Sequence, residues 1–259
     1  NGFSIATKIK LEFELNADKM LLIRASAGNK KIMVEPLSPF INKEMSTLER
    51  IKYKAERDFN LECERNGGEP SLKILQSLYD VYKKLRLDFK AAETLEQIEE
   101  MFPGRGNLNN IGLHYSNSGH NEKALSFYEK AFNKQPSEVT AFNIALQYKG
   151  NNKEKYLNYL EKALDINPEH NPSAYSLALE LKKQGNESKA DKLLNKAFNN
   201  WQIKFDNNEM ASSDYCWFSL CARALGKNEY AQHILDSEPK ENLEKIYNSE
   251  NLTQIKQED

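Results

Sequence analysis

Between residues 8 and 15 the chain reads Lys-Ile-Lys-Leu-Glu-Phe-Glu-Leu, so apolar Ile9, Leu11, Phe13 and Leu15 alternate with charged side chains. A period of two marks a half-buried strand. Turn-forming Asn16-Ala17-Asp18-Lys19 follows, then a strand predicted over 20–26, a turn at Ala27-Gly28-Asn29-Lys30, and a third strand over 31–35 that Pro36 stops. The first segment, 1–38, is thus an antiparallel β meander. With only three strands, its apolar face needs a partner.

The period then lengthens. Ser46 and Glu49 have the spacing of a capping box, which starts a helix near Thr47. Leu48, Ile51, Ala55 and Phe59 recur on one face until Asn66-Gly67-Gly68 ends it. Residues 39–70 are therefore a linker and a capped helix.

From 71 to 248 the chain repeats. Gly112, Tyr115, Gly119, Ala124, Tyr128, Ala131 and Pro136 fall at offsets 0, 3, 7, 12, 16, 19 and 24. A shift of 33 reaches Ala145 and Tyr148, with Leu160, Ala163 and Pro168 drawn in by about one residue. The next copy holds Ala178, Leu181, Gly185, Ala190, Leu194 and Ala197. One period upstream lie Tyr79, Tyr82, Ala91, Leu95, Ile98 and Pro103, which starts the array near Leu72. A divergent last copy holds Phe218, Gly226, Ala231 and Leu235, after a helix that runs through Trp201. A closing helix near 242–247 and a disordered tail at 249–259 complete the expectation.

This set of small and aromatic positions resembles the tetratricopeptide repeat family. The resulting fold class is mainly α, a tetratricopeptide-type α-solenoid of helical hairpins with a small N-terminal antiparallel β meander. Gly112, Ala145 and Ala178 let the two helices of a hairpin approach, and Ala131, Ala163 and Ala197 admit the next hairpin. The resemblance implies a groove lined by the first helix of each hairpin, in which peptides and protein segments bind. In this register Gln76, Asp80, Asn109, Asn110, Leu113, Phe142, Asn143, Tyr175, Ser176 and Leu179 fall on groove positions. Their amides and aromatics suit a peptide backbone with apolar anchors. Some members clamp a terminal carboxylate with Lys, Arg and Asn. Here only Asn110 and Asn143 match, while Gln76, Asp80, Tyr175 and Leu179 replace the cations, so no clamp is expected.

Residues 8–26, Lys-Ile-Lys-Leu-Glu-Phe-Glu-Leu-Asn-Ala-Asp-Lys-Met-Leu-Leu-Ile-Arg-Ala-Ser, resemble the end of the substrate-binding β-sandwich of the seventy-kilodalton heat-shock (DnaK-type) chaperones, which leads into a helical lid. Lys19 stands where that family commonly has Gly. The likeness implies a C-terminal fragment of a DnaK-like chaperone whose repeats recruit clients or cochaperones. ATP and Mg would belong to a nucleotide-binding part outside this chain. The alternative is a free-standing adaptor unrelated to chaperones.

Composition narrows the rest. The 36 basic and 38 acidic side chains are interspersed, with no basic stripe for phosphates, so nucleic acid is not an expected partner. No apolar run reaches the roughly 20 residues of a membrane helix, and no membrane partner is expected. Three cysteines, Cys63, Cys216 and Cys221, fit a reducing, cytoplasmic setting, and Cys216 and Cys221 fall on different helix faces. His114, His120, His170 and His233 lack ligand spacing, which leaves them structural or surface roles and no metal. No phosphate loop and no general acid–base pair is visible, so neither catalysis nor a cofactor is expected of this chain.

Overall fold

The computed structural model describes residues 9–15, 21–27, 30–37 and 46–238. The turn residues 16–19, Gly28 and Asn29, the closing helix near 242–247 and the tail at 249–259 lie outside the described residues. The chain divides into two units, 1–46 and 47–259.

In the first unit β1 (Ile9–Leu15), β2 (Leu21–Ala27) and β3 (Lys30–Leu37) pair antiparallel in the order β1-β2-β3. Ile9 opposes Ala27 and Leu15 opposes Leu21. Lys10 and Glu12, two residues apart on β1, are exposed and form an ion pair at 2.6 Å, as the pleat requires of i and i+2. Pro36 does not stop β3. Between the pairs Leu21↔Leu37 and Ile23↔Val34, two residues of β3, Glu35 and Pro36, oppose the single Leu22. That irregularity, on an edge strand, gives proline the place where a missing backbone donor costs least.

The second unit is helical. α1 (Thr47–Arg65) precedes five hairpins among the described residues: α2 (Leu72–Lys84) with α3 (Asp88–Met101), α4 (Leu108–Asn117) with α5 (Asn121–Lys134), α6 (Glu138–Tyr148) with α7 (Lys153–Ile166), α8 (Asn171–Lys183) with α9 (Glu187–Asp206), and α10 (Ser212–Ala224) with α11 (Asn228–Asp236). Polar residues start several of these helices. Ser71, Asn107, Ser137 and Asn152 each accept a hydrogen bond from the backbone N–H three residues on. Four hairpin turns use a left-handed glycine, Gly119, Gly150, Gly185 and Gly226. In the first hairpin Arg86, one period before Gly119, takes that conformation at φ 54°.

The two helices of a hairpin meet at small residues. A Cβ on Gly112 would come within 2.6 Å of the Tyr128 ring and 3.1 Å of the Ala124 carbonyl. Ala145 and Ala178, one and two periods on, are fully buried. On α10 the same place is held by buried Ser219, whose hydroxyl donates to the Ala231 carbonyl at 2.9 Å. Tyr115, Ala124, Tyr128, Ala163, Ala190 and Ala197 are buried around these crossings, while Pro136 and Pro168 lie exposed in the loops between hairpins. Ala131 departs from the expected packing role. It is only half-buried, so it does not set the spacing to the next hairpin as Ala163 and Ala197 can.

Successive units are sealed by a recurring triad. Tyr82 donates to Glu56 of α1 at 2.9 Å, Tyr115 donates to Glu96 of α3, and Tyr148 donates to Glu129 of α5 at 3.4 Å. A lysine of the following helix lies over each ring: Lys90 at 5.3 Å, Lys123 at 4.7 Å and Lys155 at 4.7 Å. The tyrosines are 33 residues apart, and Leu181 takes the next place, which ends the series. Glu56 thus has the role of Glu96 and Glu129, so α1 packs on α2 as an outer helix packs on the next hairpin.

Replacing Ala163 by Leu is expected to overpack its crossing and cost about 1–3 kcal/mol. Ala131→Leu, at a half-buried position, is expected to cost less than about 1 kcal/mol. Urea unfolding of the two variants checks this difference.

Candidate functional site

The first helices of the hairpins, α2, α4, α6, α8 and α10, present equivalent positions around the small residue of each crossing. Relative to Gly112, Ala145, Ala178 and Ser219, the positions three before, two before and one after are Asn109, Asn110 and Leu113 on α4, then Phe142, Asn143 and Leu146 on α6. On α8 they are Tyr175, Ser176 and Leu179, and on α10 they are Cys216, Trp217 and Leu220. Gln76 and Asp80 occupy the corresponding stretch of α2.

The structure splits this set. Gln76 and Asp80 are exposed, and Leu113 keeps 40% of its surface. Val139, in the first turn of α6, keeps 46%. Between α4 and α6 the amides are linked, because Asn109 Oδ1 accepts from Asn143 Nδ2 at 3.1 Å and from the Thr140 hydroxyl at 3.3 Å. One turn on, Gln147 donates to the Ser116 hydroxyl at 2.9 Å. Asn110 is half-buried, and its backbone N–H donates to the Asn107 side chain.

Phe142, Tyr175 and Ser176 are corrections to the expected groove. Phe142 is 7% exposed and Tyr175 9%, because the Trp217 ring packs edge-on against both, at 5.7 and 5.9 Å between centroids. Phe142 also meets His170 at 5.3 Å. Ser176 is buried beside the Tyr156 hydroxyl. The repeat register places these three on the first-helix face, but it cannot show that α10 brings an indole onto Phe142 and Tyr175, or that Ser176 turns to Tyr156 of α7. Leu179 is half-buried.

Trp217, Leu220 and Val139 were not singled out by the repeat spacing. α9 is 20 residues long where α5 and α7 are 14, so the last hairpin is displaced beyond the 33-residue step. Taking Ser219 as the small crossing residue recovers Trp217 and Leu220.

The titratable groups serve packing. His114 is buried, with Nδ1 at 2.7 Å from Asp88 Oδ1 and Nε2 at 3.3 Å from the Tyr79 hydroxyl, and it ties α4 to α3 and α2. Burial lowers the His170 pKa, against a smaller opposing pull from Glu138. Its site keeps the ring neutral next to Phe142. Among the described residues no three His, Cys, Asp or Glu side chains form a metal-holding group. No helix among them is long and apolar enough to cross a membrane.

Cys216 is exposed and Cys221 fully buried. Burial pushes the Cys221 thiol from 9.0 up to about 12. Between those values the unfolded chain loses a proton that the folded chain keeps, so stability is full below about pH 9 and falls as pH rises. Tyr82 and Tyr115, raised first by burial and then by their glutamate partners, add to the same alkaline loss, as does buried Tyr128. Urea midpoints are therefore expected to fall above about pH 9, and Cys221→Ala is expected to move that onset toward about pH 10. A thiol reagent at neutral pH is expected to modify Cys216 before Cys221.

Residues 107–137, covering α4 and α5, match the tetratricopeptide repeat family. No curated protein matches the chain. Solved structures similar to it include MamA 41-end from Desulfovibrio magneticus RS-1, 16% identical over 59% of this chain and 97% of that one, with a TM-score of 0.45. PilW, titled a widely conserved type IV pilus biogenesis factor, is 17% identical over 79% of this chain and 90% of its own, with a TM-score of 0.45. BtubC from P. vanneervenii is 17% identical over 76% and 91%, with a TM-score of 0.48. The chain therefore carries a tetratricopeptide repeat at 107–137, set among further helical hairpins.

Proposed function

We propose that the chain is a non-catalytic protein-interaction module that holds an extended or helical protein segment on the first-helix face of α2, α4 and the start of α6. The observation that carries this is the pair of exposed apolar side chains, Leu113 and Val139, beside the amides of Asn109, Asn110 and Asn143. Apolar side chains anchor such a segment and amides engage its backbone. No cofactor takes part, and a cytoplasmic setting suits the exposed thiol of Cys216.

The finer reading makes the chain the C-terminal part of a DnaK-like chaperone whose repeats recruit clients or cochaperones. It is supported by the succession of β1, β2, β3 and the helix α1, in the order that family places strands and lid. A free-standing adaptor is the competing reading. Sequencing upstream of Asn1 separates them, since a nucleotide-binding domain in frame is required by the first and absent from the second.

A photo-crosslinking residue at position 113 or 139 is expected to trap the partner, and one at exposed Asn133 on α5 is not. Leu113→Ala is expected to lower partner affinity by about threefold or more with helicity unchanged, as for truncation of an interface anchor. Equal trapping at 113 and 133 would show that this face is not the capture surface.

A further inference from the structure

In a stack of hairpins each unit normally touches only its neighbours. Trp217 departs from that rule. It belongs to α10 in the fifth hairpin, yet its ring lies 5.7 Å from Phe142 on α6, in the third, at an interplanar angle of 73°. It also meets Tyr175 on α8, in the hairpin between, at 5.9 Å and 68°. Both are edge-to-face arrangements, which the ring quadrupole favours. The indole packs against two cores, that of Phe142, Ala145, Tyr156 and Leu160 and that of α8 to α11, which Leu164 of α7 and Leu177 of α8 also join. A second tie lies further along the same helices, where Lys182 Nζ at the end of α8 donates to the Ala224 carbonyl at the end of α10 at 3.2 Å.

We propose that Trp217 is an internal clasp, a side chain of the fifth hairpin that covers Phe142 and Tyr175 and locks the third, fourth and fifth hairpins into one unit. The indole is itself only partly buried, and Cys216 and Leu220 on the same face of α10 are exposed. Withdrawing it gives up ring contacts without emptying a core position. The withdrawn state uncovers two aromatic rings beside Asn143 and Leu179, and so extends the first-helix face from α6 onto α8. In the clasped state the α2, α4 and early α6 stretch is open, while Phe142 and Tyr175 are covered. The consequence for partner binding rests on the proposed function, whereas the clasp itself does not.

Hydrogen exchange on the full chain without any partner keeps the two apart. Trp217→Ala is expected to speed exchange in α6, two hairpins away, by about threefold or more, the scale of losing two aromatic contacts. Trp217→Phe, which keeps a ring, is expected to fall between this variant and the wild type. Leu220→Ala, exposed on the same helix, is expected to change exchange in α10 alone. The reciprocal variant Phe142→Leu carries the test if Trp217→Ala does not fold, and it is expected to speed exchange in α10. Exchange changes confined to α10 and α11 for Trp217→Ala, or to α6 and α7 for Phe142→Leu, would overturn the clasp.

Discussion

The helical unit depends on one steric constraint, the close crossing of the two helices in each hairpin. At Gly112 the Tyr128 ring occupies the space that a Cβ would need, and Ala145, Ala178 and Ser219 keep the equivalent crossings small. Helices of these lengths are marginal alone, and they gain stability only by covering one another's apolar faces. The crossing sets how far Tyr115, Phe127 and Tyr128 sink into the core, and it fixes which side chains remain on the first-helix face. Burial and exposure along the array are two results of the same register.

Cohesion and recognition use different parts of that register. The phenols of Tyr82, Tyr115 and Tyr148, each joined to a glutamate of the preceding helix and covered by a lysine of the following one, bind successive units together. Hydrogen bonds to a charged acceptor are stronger than neutral ones, although partial exposure of these carboxylates weakens them. Because α1 supplies Glu56 to the first triad, the array is closed at that end by a helix outside the five hairpins. The first-helix face is left with amides and a few aliphatic side chains, until Trp217 covers it on α6 and α8.

The sequence made the hairpins legible because packing imposes residue size at fixed spacing. Gly112, Ala145 and Ala178 stand 33 residues apart, and the left-handed turn glycines Gly119 and Gly185 repeat with them. The candidate face was legible only in part. Gln76, Asp80 and Leu113 are exposed and Asn109 and Asn110 half-buried, but a register carries no information about contacts between non-adjacent hairpins. Phe142 and Tyr175 are therefore assigned to the right helices and the wrong environment. The last copy was placed by Gly226, Ala231 and Leu235 despite the extra length of α9, but nothing in that register points to the contacts of Trp217 with Phe142 and Tyr175, and Pro36 escaped its usual role because a bulge admits it.

The close crossing at Gly112 is tested most directly by Gly112→Ala in equilibrium urea unfolding. Alanine is the better helix former by about 1 kcal/mol, so an uncrowded site would become more stable. Here the added methyl meets the Tyr128 ring and the Ala124 carbonyl, and a net loss of about 1–3 kcal/mol is expected. A variant as stable as the wild type, or more stable, would contradict the claim that this contact sets the geometry of the hairpins.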